Sequence, residues 1–307
     1  MTVGNIVTAT IGLYRSRFKD YILLAFQSLL WIVIPIFLFG VVFAILFGGV
    51  AAAGTGPGSA LGLMVLLGIV FLVLLIYCLA RSVAYSAAIS RLTFGELLQI
   101  PETPKEAHRF TRRRMWKFIW AGFLFAVILI GAYIGLLIGL VVFAAIGGGL
   151  AAALGGGAPG SGSAALISAL ISMIAVLLFL WVFTWLIARL FIYDTILAIE
   201  EQVAAAETLG LSWKLTNKNA FRVSMVILLA VLVSLPLLLI AQGLSIWAQL
   251  QATSSPGAIG ALIVLMSFVI SLFASLITVP LWQVVKSVIY YDLKSRQEGI
   301  DLKFSAS

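Results

Sequence analysis

Three pairs of residues share one spacing and one chemistry. Arg81 precedes Tyr85, Arg189 precedes Tyr193, and Lys286 precedes Tyr290, each by four positions. On a helix, residues four apart stand one above the other on the same face. Each pair therefore sets a fixed cation beside a phenol that can donate a hydrogen bond. That combination suits a phosphate or another anionic headgroup. A second basic group, Arg112, Arg113 and Arg114, is contiguous. It is a candidate anchor for anionic lipid, because each basic residue near an anionic membrane surface contributes about 1 kcal/mol. Both groups also have a plainer reading, in which long basic side chains at the ends of apolar helices reach back to the interface. Asp194 and Asp292 follow two of the tyrosines, and Ser86 follows the third. The two carboxylates are possible partners for these or other cations.

Other chemistries lack their parts. His108 is the only histidine and has no second ligand nearby, so no metal site is expected. Cys78 is the only cysteine and sits in an apolar run, which excludes a disulfide or a zinc cluster within one chain. Gly-x-Ser-x-Gly does not occur, and the glycine-rich stretches lack the lysine of a phosphate-binding loop. The apolar runs carry no ionisable residue at their centres, so a proton path through an embedded carboxylate is not expected. The expectation is a protein without enzymatic activity and without a cofactor.

The elements that must position these residues follow from where charge is missing. From Tyr21 to Ala80, from Phe118 to Ala188 and from Val223 to Val285 there is no Lys, Arg, Asp, Glu or His. Each stretch is long enough for two spans of about 20 residues and a turn. Hydrophobic residues make up 63% of the 307 residues and charged residues only 10%, and mean hydropathy is +1.19. Soluble domains carry about 25% charge, so the reading is an all-α integral membrane protein. The net charge of +8 sits beside apolar runs and is not read as a nucleic-acid surface. Glycine-rich midpoints at Gly48 to Gly58, Gly147 to Gly160 and Thr253 to Gly257 divide the stretches. This predicts six transmembrane helices, roughly 22–47, 61–82, 119–146, 164–190, 223–249 and 259–287.

Each pair of spans is preceded by a short segment with mixed polarity: Gly4 to Asp20, Pro104 to Lys117 and Glu200 to Asn219. These read as interfacial amphipathic helices, the alternative being simple extensions of the spans. One membrane domain over 1–307 would then hold three repeated hairpins, in units of about 1–100, 101–198 and 199–307. Ile11-Gly-Leu-Tyr-Arg15 resembles Leu209-Gly-Leu-Ser-Trp-Lys214 with one insertion, and the three cation-tyrosine pairs recur at the hairpin exits. All 19 Lys and Arg fall on one side of the predicted spans. That side is expected to be cytoplasmic, with both termini there. No removable signal peptide is read at the N-terminus. Pro35, Pro236 and Pro280 lie within spans, as hinges or as tolerated irregularities. Gln27, Gln242, Gln249 and Gln283 are the largest polar side chains in or near the spans and suit interhelical bonding. Gly131, Gly135 and Gly139 form a ridge suited to close helix packing within or between chains.

Several short motifs carry a family likeness. They are Val3-Gly-Asn-Ile6 through Leu13-Tyr-Arg-x-Arg-Phe18, Leu211-Ser-Trp-Lys214 with Asn219-x-Phe221, and Ile289-Tyr-Tyr-Asp-Leu-Lys-x-Arg296 with Glu298-Gly-x-Asp-Leu302. On these the chain resembles the membrane-domain family named after glycerophosphoryl diester phosphodiesterases. The resemblance implies a six-span helical domain, fused in some relatives to a soluble catalytic barrel that this chain lacks. Ile89-Ser-Arg-Leu-Thr-Phe-Gly-Glu96 is similar to stand-alone cyanobacterial members, which implies a bacterial plasma membrane or a thylakoid membrane. The functional expectation is a scaffold, assembly or lipid-interacting factor with a basic cytoplasmic face. Its expected partners are anionic lipids, another membrane protein or a second copy. The alternative is a transporter or channel for a lipid-like or uncharged solute, marked by a cavity lined with Ser, Thr and Gln.

Overall fold

The computed structural model describes residues 3–53, 57–100, 102–154, 162–217, 219–254 and 257–298. Ten helices account for nearly all of them: α1 Val3–Ser16, α2 Phe18–Ala53, α3 Pro57–Leu97, α4 Pro104–Arg113, α5 Met115–Leu154, α6 Gly162–Leu190, α7 Tyr193–Ile199, α8 Ala205–Thr216, α9 Ala220–Ser254 and α10 Ala258–Glu298. Six of these, α2, α3, α5, α6, α9 and α10, are long and apolar enough to cross a membrane. Hydrocarbon supplies no water to satisfy backbone polar groups, so a helix that bonds its own backbone is the favoured spanning form for such runs. The spanning helices pair in chain order, α2 with α3, α5 with α6, and α9 with α10.

The helices are longer than the spans the sequence predicts. At about 1.5 Å per residue, the 41 residues of α3 reach about 60 Å, against a hydrocarbon layer of about 30 Å. Two departures explain the excess. Gly48 to Ala53 and Gly147 to Leu154 are helical and not turns; Ala51 to Ala53 and Ala151 to Ala153 are strong helix formers that offset the glycines. Pro57-Gly58 and Thr253-Ser254 are helical as well, Gly257 turns with a positive φ of 99°, and 54–56, 155–160 and 255–256 of the predicted turns lie outside the described residues, as does 299–302 of the last family motif. At the charged end α3 and α10 run on through Tyr85 and Tyr290, whereas the exit of the second hairpin breaks at Phe191 and Ile192 and restarts as α7. The prolines at 35, 236 and 280 stay inside continuous helices.

The three short helices ahead of the hairpins pack chiefly on a different hairpin from the one they introduce. α4 lies on α3, α8 lies on α5, α6 and α7, and α1 lies on α9 and α10. Each is fastened by a hydroxyl to a backbone carbonyl of that neighbour. Thr111 donates to Ala84 O at 2.8 Å, and Ser212 and Thr216 donate to Arg189 O at 2.8 and 3.1 Å. Tyr14 donates to Ile277 O at 3.1 Å. A helical carbonyl can accept this second bond because one lone pair remains free.

The core sits at the charged end. Ile6, Tyr21, Leu92, Ile192, Ile196, Val226, Val284 and Ile289 form one buried cluster that joins all three hairpins. Phe118, Ala121 and Leu197 belong to a second cluster beside it. Towards the opposite end side chains such as Phe37, Val141, Ile146 and Leu239 are exposed. An apolar groove of about 200 Å³ opens there between α2 and α10, lined by Phe26, Leu30, Val33 and Phe273. Among the described residues, a Cβ added to Gly131, Gly135 or Gly139 meets nothing within 4 Å, and Gly139 lines a groove between α5 and α6 with Ala175 and Phe179. The close approach of α5 to α6 falls instead at Gly147, where a Cβ would collide with Ile171.

Stability should divide along the same line. Leu92→Ala, at a position with no exposure, is expected to cost about 2 kcal/mol or more through the void it leaves. Ile138→Ala, 60% exposed, should cost well under about 1 kcal/mol. Unfolding midpoints of the two variants in one detergent check this, and equal losses would contradict a core confined to the charged end.

Candidate functional site

A buried polar node lies where the exits of the three hairpins meet. α10 brings Gln283, Lys286 and Ser287, α3 brings Ser86 and Ser90, and α7 brings Asp194. Lys286 donates to Asp194 Oδ2 at 2.6 Å, and the same oxygen lies 3.5 Å from Gln283 Nε2. Gln283 also donates to Ser86 Oγ at 3.0 Å and accepts from Ser90 at 2.6 Å. Ser287 donates to Ser90 O at 3.0 Å, and Asp194 Oδ1 accepts the Thr195 N–H at 3.0 Å. The break before α7 is what allows Asp194 to stand among the other two exits. A buried charge is tolerated only when paired and bonded; here the cation and the carboxylate neutralise one another and the amide fills the remaining valences.

Above this node, between α9 and α10, opens a cavity of about 350 Å³. Its polar lining is Ser86, Gln242, Ser271, Ser275, Thr278 and Gln283, and its apolar lining includes Leu238, Ala274 and Trp282. Gln242 and Gln283 are two of the four large polar side chains that the sequence marks in or near the spans. The hydroxyls could also have been found, since Ser267, Ser271, Ser275 and Thr278 repeat at three or four residues and share one face of α10.

The three cations expected to form an anion site have separate partners. Lys286 is paired with Asp194, and its ammonium lies 5.2 Å from the Phe191 ring. Arg189, 7% exposed, lies over Trp185 and Trp213 at 4.7 and 4.8 Å and donates to Asn217 Oδ1 at 2.7 Å. Arg81 lies 4.7 Å over Trp31, with its Nε buried and unpartnered. The tyrosines diverge too. Tyr85 stacks on His108 at 3.7 Å, Tyr193 stacks on Phe125 at 4.7 Å, and Tyr290 donates to Glu200 Oε1 at 2.6 Å. Spacing along each helix was the same, but each exit meets different neighbours.

The contiguous arginines also part company. Arg114 is 8% exposed and turns inward, where its guanidinium binds Leu197 O at 2.8 Å, Val203 O at 2.9 Å and the Glu200 carbonyl. It satisfies carbonyls at the end of α7 and is not presented to a headgroup. Arg112 and Arg113 are exposed, and so are Arg109 and Lys105 one and two turns earlier. Their helix is fixed by a capping box between Thr103 and Glu106, with Pro104 opening the first turn. Ala107 and Thr111 bury its other face against α3. The nearby acids are engaged: Glu102 takes two bonds from Arg91 at 2.8 and 2.9 Å, and Glu200 is bonded by Lys294 and Tyr290. Burial opposes ionisation of Glu200, but these two bonds outweigh it and hold its carboxyl below the usual range. Sequence reasoning did not foresee Glu102, Glu200 or Trp31 as partners, because the pairings are long-range.

Among the described residues no group of His, Cys, Asp and Glu could hold a metal ion. No family model, no curated protein and no solved structure matches this chain.

Two outcomes follow. Arg114→Ala should lower stability by about 2 kcal/mol or more by stranding buried carbonyls, whereas Arg112→Ala should be near neutral; thermal unfolding in detergent compares them. His108 is held down to about 4 by burial first and then by Arg81 and Arg112. Its unfolded value is near 6.5, so between these values the unfolded chain binds the proton first. The His108 contribution to stability is therefore full above about pH 6.5 and is lost as the pH falls towards 4. His108→Phe, which keeps the stack on Tyr85, should flatten that part of the melting-temperature profile.

Proposed function

We propose that this chain is a non-enzymatic multi-pass membrane protein that engages anionic lipid at its charged end. The observation that carries the reading is α4. It is fixed to α3 by a buried face and a capped start, and it turns Lys105, Arg109, Arg112 and Arg113 outward as one basic stripe. Fixed cations beside apolar helices suit an anionic leaflet, and the uneven placement of Lys and Arg supports a cytoplasmic position for this end and both termini.

The chain is best read as three repeats, each an interfacial helix followed by a hairpin. In support, a short helix precedes each of the three hairpins, and each short helix docks on the hairpin of the preceding unit, with α1 docking on the last. On the motifs quoted above, we place the chain with the membrane domains named after glycerophosphoryl diester phosphodiesterases, in a bacterial plasma or thylakoid membrane.

The test is lipid retention in phosphatidylglycerol-containing nanodiscs, read by native mass spectrometry. Losing two surface cations at about 1 kcal/mol each, Arg112→Gln with Arg113→Gln should weaken phosphatidylglycerol retention about thirtyfold. Unchanged retention would sink the reading. A second reading, passage of an uncharged or lipid-like solute between the hairpins, is favoured by one observation: the Ser-, Thr- and Gln-lined cavity above the node.

A further inference from the structure

Polar walls are out of place at hydrocarbon depth, where a polar group without a partner is costly. The cavity between α9 and α10 has such walls. From Gln283 on its floor to Ser271 is twelve residues of α10, a rise of about 18 Å. That is more than half of a hydrocarbon layer about 30 Å thick.

The lining has a definite hydrogen-bonding character. Ser271, Ser275 and Thr278 donate to carbonyls one turn back on α10, at 2.9, 2.9 and 2.7 Å. Their donors are used within the helix; the oxygens of Ser275 and Thr278 keep lone pairs that can accept, while that of Ser271 already meets Ser245 Oγ of α9 at 3.1 Å. Gln242, exposed to the cavity, makes no hydrogen bond to a described residue and offers both an acceptor and two donors. On the floor, Gln283 is locked between Ser86 and Ser90, and the ions behind it, Asp194 and Lys286, are spent on one another at 2.6 Å. No free charge therefore faces the space. A phosphate would find no cation here, and a bare hydrocarbon chain would leave Gln242 unsatisfied. A free hydroxyl on an uncharged head would donate to these acceptors, ester oxygens beside it would accept from Gln242, and an attached chain would lie against Leu238, Val279 and Trp282. At about 350 Å³ the space falls at the small end of pockets that hold small molecules, about 300 to 1,000 Å³.

We propose that this cavity binds a neutral membrane amphiphile with a hydroxyl-bearing head. The proposal goes beyond the anionic-surface reading, since it concerns the opposite chemistry at a different place. It shares its cavity with the passage reading but does not require that anything crosses.

The full chain in phosphatidylcholine nanodiscs is irradiated with a diacylglycerol that carries a photoactivatable diazirine, and adducts are mapped by peptide mass spectrometry. Adducts are expected to concentrate on 238–242 and 271–283, and to be competed by unlabelled diacylglycerol but not by phosphatidylglycerol. Gln242→Leu should reduce labelling about fivefold, the worth of one hydrogen bond. Ser275→Ala, which removes an acceptor and no fold contact outside α10, gives an independent second measurement. The Arg112→Gln, Arg113→Gln pair should leave labelling unchanged, so a failure at the surface and a failure in the cavity are told apart. Adducts spread evenly over the exposed apolar helix faces would overturn the proposal. So would equal competition by phosphatidylglycerol, or labelling indifferent to both cavity variants.

Discussion

Helices in a bilayer gain nothing by hiding apolar surface from one another, because lipid tails are as apolar as leucine. Association must come from close packing and from polar bonds, and this chain gathers both at one end. The buried cluster around Tyr21, Leu92, Ile196 and Ile289 and the node of Asp194, Lys286 and Gln283 lie together there. The apolar window of α5, by contrast, has no buried residue. The hairpins are joined at this base. The apolar groove lies between helices of different hairpins, α2 and α10, whereas the polar cavity lies within the third hairpin, between α9 and α10.

The same constraint explains the fate of the basic residues. At the base a cation is either used to join elements or left on the outside. Arg114 closes the end of α7, Arg189 ties α6 to α8 through Asn217 and Trp213, and Lys286 ties α10 to α7. Arg222 and Arg296 share Asp292, at 3.2 and 3.1 Å. Arg112 and Arg113, on a helix whose inner face is already occupied by Ala107 and Thr111, have nothing within the fold to join. Position on the helix, and not the run of three arginines, separates the structural cation from the surface ones.

Much of the fold was legible because charge is excluded from hydrocarbon: the blank stretches located six helices long and apolar enough to span a membrane. Three short helices were also legible, from Pro104 and from the apolar spacing around Leu209 and Leu211. Their docking was not, because Thr111 reaching Ala84 and Tyr14 reaching Ile277 are long-range bonds that local spacing does not encode. The helix break at Phe191 escaped notice for a related reason, since the same cation-tyrosine spacing is continuous helix in α3 and α10. The glycine stretches misled by composition, because alanines beside them keep the helix going. The cavity was half visible: Gln242 and Gln283 stood out by size, while the serines on α10 looked like ordinary small residues.

The docking of α1 has a consequence for biogenesis. Ile6 and Thr10 are buried where α1 lies beside Val226, Ala230 and Val285, residues of a hairpin translated more than two hundred positions later. This seat of α1 therefore cannot form until α9 and α10 have been made, although Ser16 can meet Glu96 of α3 earlier. α4 and α8 settle on hairpins made before them and can fold as translation proceeds. Docking of α1 on α9 and α10 closes a long loop, and its loop-closure entropy sets it behind the local pairings. Until then the face of α1 that carries Ile6 stays uncovered, and an uncovered apolar face is where a nascent chain is exposed to misassembly.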